Sequence, residues 1–121
     1  MEIWKDIIGY EGLFQISNKG RIKRLASIGI YKKSEKILNT NYTDKFGYKR
    51  VSLLKNGTYN TFGIHRLVAQ AFLPNPNNYP VVMHLDNNPS NNCVDNLKWG
   101  TQLQNVLQCV ADGRHNNQHT I

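Results

Sequence analysis

Three side chains in the last third of the chain, His84, Asn96 and Asn105, have types and spacing that suit chemistry: the second stands twelve positions after the first and the third nine after the second. An imidazole can take a proton from water and a side-chain oxygen can bind a hard cation. Set opposite each other, these are parts that phosphodiester hydrolysis needs. A histidine near a strand end is, taken alone, more often a surface or core residue than a base. The case therefore depends on the elements that carry the three.

Residues 81–85 have the apolar, β-branched character of a short strand, and residues 86–94 are a loop rich in Asn, Pro and Ser. Residues 96–99 predict a second strand. Thr101-Gln102-Leu103-Gln104 then has the form of a capping box, and Leu103, Val106, Leu107 and Val110 fall on one face of the helix it would open. This pattern puts His84 at the end of one strand, Asn96 at the next and Asn105 one turn into the helix. Upstream, Ile64, Leu67, Val68, Ala71 and Phe72 form the stripe of an amphipathic helix that stops at Leu73-Pro74-Asn75-Pro76. Residues 48–54 and 58–62 predict a hairpin about Lys55-Asn56-Gly57. Residues 13–17 and 21–25 predict another across Asn18-Lys19-Gly20, with Ile22 and Arg24 on one face and Arg21, Lys23 and Leu25 on the other. Residues 26–41 read as a loop with at most a short strand at 36–39, and residues 113–121 as a polar, frayed tail.

A chain of 121 residues can bury one modest core, or two small units that share one. Its formal charge of +7 is unevenly placed. Residues 19–55 hold eleven of the fifteen bases against Glu35 and Asp44, a net of +9, whereas residues 56–121 are neutral. That footprint predicts a polyanion as partner, through Lys19, Arg21, Lys23, Arg24, Lys32, Lys33, Lys49 and Arg50, with Tyr48 read as an exposed ring beside them; Arg66, outside it, reads equally as a clamp on the scissile phosphate or as a member of a surface ion pair. The plainer alternative is a solvated basic face. Cys93 and Cys109 form no Cys-x-x-Cys pair and read as ordinary thiols. No stretch approaches the roughly 20 apolar residues of a membrane helix, and no signal peptide is recognisable. The expectation is a soluble, cytoplasmic protein with no membrane partner.

Val81-Val82-Met83-His84-Leu85-Asp86-Asn87-Asn88, continued through Asn96-Leu97-Lys98-Trp99 to Asn105, resembles the HNH motif of phage and intron-encoded homing endonucleases. Ile64-His65-Arg66-Leu67-Val68-Ala69-Gln70-Ala71-Phe72 is similar to the segment that introduces it, and Trp4 through Ile22 resembles the small NUMOD4-like DNA-binding module found at the front of these nucleases. Three matches in the expected order are more specific than any one short pattern. The resemblance implies an α+β fold, with a basic β-rich module at 1–55, a ββα-metal (His-Me finger) core at 56–112 and a tail at 113–121. It implies that His84 is the general base, that Asn105 supplies a metal-ligand oxygen and that Asn96 braces the loop. The implied cofactor is Mg2+ or Mn2+, with no small-molecule cofactor, and the implied partner is double-stranded DNA, cut to leave a 5′-phosphate and a 3′-hydroxyl in a host or phage-infected cell. A single small site predicts nicking by a monomer, with a dimer as the alternative.

One departure matters. The residue before the histidine is commonly Asp or Asn in this family, and here it is Met83, whose thioether is too soft for magnesium. The alternative reading is therefore a DNA-binding regulator on an inactive nuclease scaffold, and a third is an adaptor that binds protein. Asp86 reads as a loop cap, and Asn91 and Asn92 as turn residues only. His65 starts a helix; Trp4, Tyr10, Phe14 and Trp99 read as core; His115 and His119 lie in the tail.

Overall fold

The computed structural model describes residues 1–27, 34–39, 42–104 and 107. Strands β1 (Trp4–Asp6), β2 (Phe14–Ser17), β3 (Ile22–Arg24) and β4 (Lys36–Ile37) form one antiparallel sheet in that order. The β2–β3 register pairs Phe14 with Arg24 and Ile16 with Ile22, as the Asn18-Lys19-Gly20 turn predicts. Gly20 supplies the positive φ (+82°) that this turn requires. Pairing on this sheet seals Ile16 and Ile22 completely from solvent.

The second hairpin, β5 (Arg50–Lys55) and β6 (Thr58–Gly63), runs straight into α1 (Ile64–Phe72). Helix α1 buries Ile64, His65, Leu67, Val68 and Ala69. The buried face is thus rotated from the predicted stripe, and Ala71 and Phe72 are only partly covered. Its last turn is held from two sides: Lys5 Nζ donates to the Ala71 carbonyl (3.3 Å), and Trp99 Nε1 donates to the Leu73 carbonyl (3.1 Å). A cation at a helix C-terminus is favourable to the unpaired carbonyls there.

Strands β7 (Val81–His84) and β8 (Leu97–Gly100) are antiparallel, with His84 opposite Leu97. Residues 102–104 are helical. The capping box is formed in both directions: Gln104 N donates to Thr101 Oγ1 (3.1 Å) and Thr101 N to Gln104 Oε1 (2.9 Å). Leu103 and Leu107 on this segment are exposed, so nothing in the described chain covers the predicted apolar face.

One cluster of buried side chains runs from Ile7, Tyr10, Phe14, Ile16 and Ile22 through Val51, Leu53 and α1 to Val82 and Leu97. The N-terminal sheet and the β7–β8 hairpin therefore share a core across α1. Trp4, expected in that core, is only half-buried and instead carries Lys23 Nζ 4.3 Å from its ring centre, with Arg21 at 5.8 Å. Among the described residues no helix is long and apolar enough to cross a membrane.

Candidate active site

The site is built on the last residue of β7. His84 is 7% exposed, and its Nε2 lies 2.9 Å from Asn92 Oδ1. An amide oxygen only accepts, so this contact suits a ring proton on Nε2. Asn92 is itself buried, at 6% exposure. Sequence reasoning took Asn92 for a turn residue and missed it. Its signal was its place in a tight polar loop eight residues after a histidine, which spacing alone does not distinguish from Asn91.

Two rings flank His84: His65 of α1 at 5.2 Å between ring centres and Tyr48 at 5.8 Å, while His65 and Tyr48 are 5.2 Å apart. Tyr48 is thus half-buried against the histidines and not an exposed ring. His65 is 1% exposed, and neither of its ring nitrogens has a hydrogen-bond partner among the described residues. Burial, then the neighbouring His84, Arg66 and Arg50, pushes its pKa down from 6.5 to about 3. The ring fits because residue 63 is glycine; a Cβ there would stand 2.8 Å from His65 Cε1.

Asn96 sits on a 3-10 turn (Val94–Asn96) just before β8, one step earlier than the strand position predicted, because the chain must turn before it can pair with β7. From there it laces the loop. Its Oδ1 accepts from Asp86 N (3.0 Å), and its Nδ2 donates to Asp86 Oδ1 (2.8 Å) and the Asn91 carbonyl (3.0 Å). Its own carbonyl accepts from Leu85 N (2.8 Å). Asp86 also accepts from Asn91 Nδ2 and Asn88 N; led by the Asn91 bond, these donors hold its carboxyl at about 2, well below the usual carboxylate range.

Several of the predicted phosphate-binding residues have partners within the chain. Arg21 forms a two-pronged pair with Glu2, which lowers the Glu2 carboxyl to about 2. Arg50 pairs with Asp44 (2.8 Å), Lys23 stands 3.8 Å from Glu35, and Arg24 donates to the Ser34 carbonyl. Arg66 donates to the Pro80 carbonyl (2.9 Å) and lies over the Trp99 ring. Lys19 is exposed at the β2–β3 turn, and Lys49 is half-buried beside β5. Lys32, Lys33 and Asn105 lie outside the described residues.

The described residues do not by themselves fit a hard cation. Among them no three His, Cys, Asp or Glu side chains converge. Met83 is buried at 6% exposure, and its sulfur and Gln104 Oε1 fill the space that a Cβ on Gly100 would need, at 2.6 and 2.8 Å.

Comparison with known proteins agrees with this architecture. The NUMOD4 motif matches residues 2–53, and the HNH endonuclease family matches residues 62–107. DNA endonuclease I-HmuI of Bacillus phage SP01 is 42% identical over 113 residues, which are 93% of this chain and 60% of that protein. An uncharacterised HNH endonuclease of Acanthamoeba polyphaga mimivirus is 37% identical over 110 residues, 91% of this chain and 30% of the relative. The solved structure described as DNA binding and cleavage by the HNH homing endonuclease I-HmuI superposes with a TM-score of 0.76 at 41% identity, covering 94% of this chain and 61% of that one. The chain spans about three fifths of the length of I-HmuI and less than a third of the mimivirus relative. A match to the NUMOD4 motif thus leads into a match to the HNH endonuclease family, within which His84 ends β7.

Proposed function

We propose that this chain binds double-stranded DNA and hydrolyses a phosphodiester bond, cutting one strand per encounter, with His84 as the general base. The observation that supports this most is the loop after His84. Asn96 devotes three side-chain hydrogen bonds to it, so the end of β7 is held in one arrangement. A base is useful only when its ring is fixed relative to the attacked bond. With the proton on Nε2, the remaining ring nitrogen would take a proton from water as the water attacks phosphorus.

Nucleases of this family are metal-dependent. The ion proposed here is Mg2+ or Mn2+, since an amide oxygen from Asn105 with water and phosphate oxygens suits a hard cation better than zinc. The steps assigned to the chain remain those of its own groups: His84 moves the proton, Asn96 holds the loop, and the basic N-terminal module binds phosphate. The acting unit is proposed to be a monomer, because each chain carries one such histidine loop.

A second reading has a specific observation in its favour. Met83 is buried where the family commonly has a metal-binding residue, which suits a scaffold kept for binding alone. Relaxation of supercoiled plasmid with Mg2+, Mn2+ or EDTA separates the two. Metal-dependent open-circle product that disappears in His84→Ala is expected; a native protein that retards plasmid without cutting it in either metal would sink the nuclease reading.

A further inference from the structure

The turn between β2 and β3 does more than carry charge. It is built stiffly: Ser17, fully buried, accepts through Oγ from the backbone N–H groups of Lys19 and Arg21, and Asn18 is tied to Met1 and Ile3. This turn lies directly on the histidine loop. Val94 N donates to the Asn18 carbonyl at 2.8 Å. A Cβ on Gly20 would stand 2.9 Å from Asn92 Cβ and 3.2 Å from the Asn92 carbonyl oxygen, so the two backbones meet without a side chain between them. Gly20 is needed twice, for its positive φ and for this close approach. On the other side of the same contact, Asn92 Oδ1 meets His84 Nε2.

We propose that this turn is a working part of the active site: Gly20 seats Asn92, and Asn92 is the positioning residue that keeps the ring proton of His84 on Nε2. The N-terminal module then sets the base as well as gripping DNA. Asn92 has little exposed surface with which to choose another partner, and its Cβ and carbonyl are fixed by the turn. A neutral imidazole takes the tautomer that its hydrogen-bond partner dictates. The inference rests on the proposed role of His84, but its structural half can be tested without cleavage.

Imidazole 15N NMR of the whole chain, read against pH, is the test, with single-turnover plasmid nicking beside it. Native protein is expected to show His84 as the Nε2–H tautomer. Asn92→Asp keeps size and acceptor but adds a negative charge, so the His84 pKa should rise by about 1 unit and the acid limb of nicking should move with it. Asn92→Ala should give mixed tautomers. Gly20→Ala should shift the His84 ring signals and slow single-turnover nicking of bound plasmid about 10- to 100-fold. Should Gly20→Ala fail to fold, the near-isosteric Asn92→Asp decides alone. A native Nδ1–H tautomer, or an Asn92→Asp protein whose His84 pKa and acid limb do not move, would overturn the proposal. Native protein that never nicks yet shows Nε2–H dependent on Asn92 defeats the nuclease reading and leaves the positioning contact established.

Discussion

The rings of His65 and His84 lie 5.2 Å apart and are inclined by 47°, and the inner one, His65, has neither nitrogen bonded among the described residues. A buried imidazole in that position can pack only while neutral, since a second positive charge would face Arg66, Arg50 and any proton on His84 with little water to screen it.

Stability should therefore depend on pH in a defined window. The folded pKa of His65, about 3, is below its ordinary 6.5. As pH falls below 6.5 the unfolded chain gains a proton that the folded chain refuses. The stabilisation from the neutral ring is thus complete above about 6.5 and is lost progressively down to about 3, by up to ~1.4 kcal/mol per unit. Glu2 and Asp86, both held near 2, add to the loss only below about 4.5. Urea unfolding between pH 6.5 and 4.5 should show this slope in native protein and a flatter one in His65→Phe. Equal slopes would show that His65 titrates normally.

Internal pairing should grade the basic residues that the sequence left equal. Lys19 is exposed and forms no ion pair among the described residues, whereas Arg21 is held by Glu2. If Lys19 contacts phosphate, Lys19→Ala should reduce the slope of log K against log salt by about 0.9. Glu2→Gln should release Arg21 and tighten binding, with a steeper slope. Fluorescence anisotropy on a labelled duplex at 50 to 300 mM salt reads both. A Glu2→Gln protein with unchanged affinity would place Arg21 off the DNA.

Asn96 predicts a loss of both stability and cleavage. Asn96→Ala removes a partner from Asp86 N, Asp86 Oδ1 and the Asn91 carbonyl together. A destabilisation of about 1–3 kcal/mol is expected. Asn96→Asp should do no better, because its donor to Asp86 becomes a second carboxylate. Thermal melts should rank both variants below native, and nicking measured well below their melting temperatures should remain reduced. Full activity in a destabilised Asn96→Ala would detach the brace from the chemistry.

Much of the fold was legible because it is written in local signals. The Asn18-Lys19-Gly20 turn, the Asn-Gly turn at 56–57, the capping box at Thr101 and Gln104 and the helix stop at Pro74 each depend on neighbours in sequence, and all formed as expected. The placing of His84 at the end of a strand was legible in the same way, and that of Asn96 to within one step. What escaped was whatever depends on contacts between distant segments. His65 looked like any helix-starting residue until Tyr48 and His84 closed over it. Asn92 looked like its neighbour Asn91 until Gly20, far earlier in the chain, was packed on it. Trp4 looked like core, yet it is only half-buried, with Lys23 and Arg21 over its ring. Charge counting failed in the same way, since Glu2 lies outside the basic stretch whose Arg21 it neutralises.

The most decisive substitution is Met83→Asp. Met83 faces Gly100 and Gln104 in a space with little water, at 6% exposure. A carboxylate placed there without a cation should be uncompensated, raising its own pKa and costing about 1–3 kcal/mol. If the neighbouring chain can complete an oxygen site, that loss should be recovered when Mn2+ or Mg2+ is added, because a ligand that binds only the folded state raises the melting temperature. Native protein, lacking the carboxylate, should show a smaller metal-dependent rise. Melting curves of Met83→Asp and native protein in EDTA, Mg2+ and Mn2+ are the measurement, and Met83→Asn supplies the uncharged control. Recovery in Met83→Asp together with new or faster nicking would mean that Met83 is what weakens the site. A Met83→Asp protein equally destabilised in EDTA and in metal would mean that the surrounding residues no longer form a cation site at all.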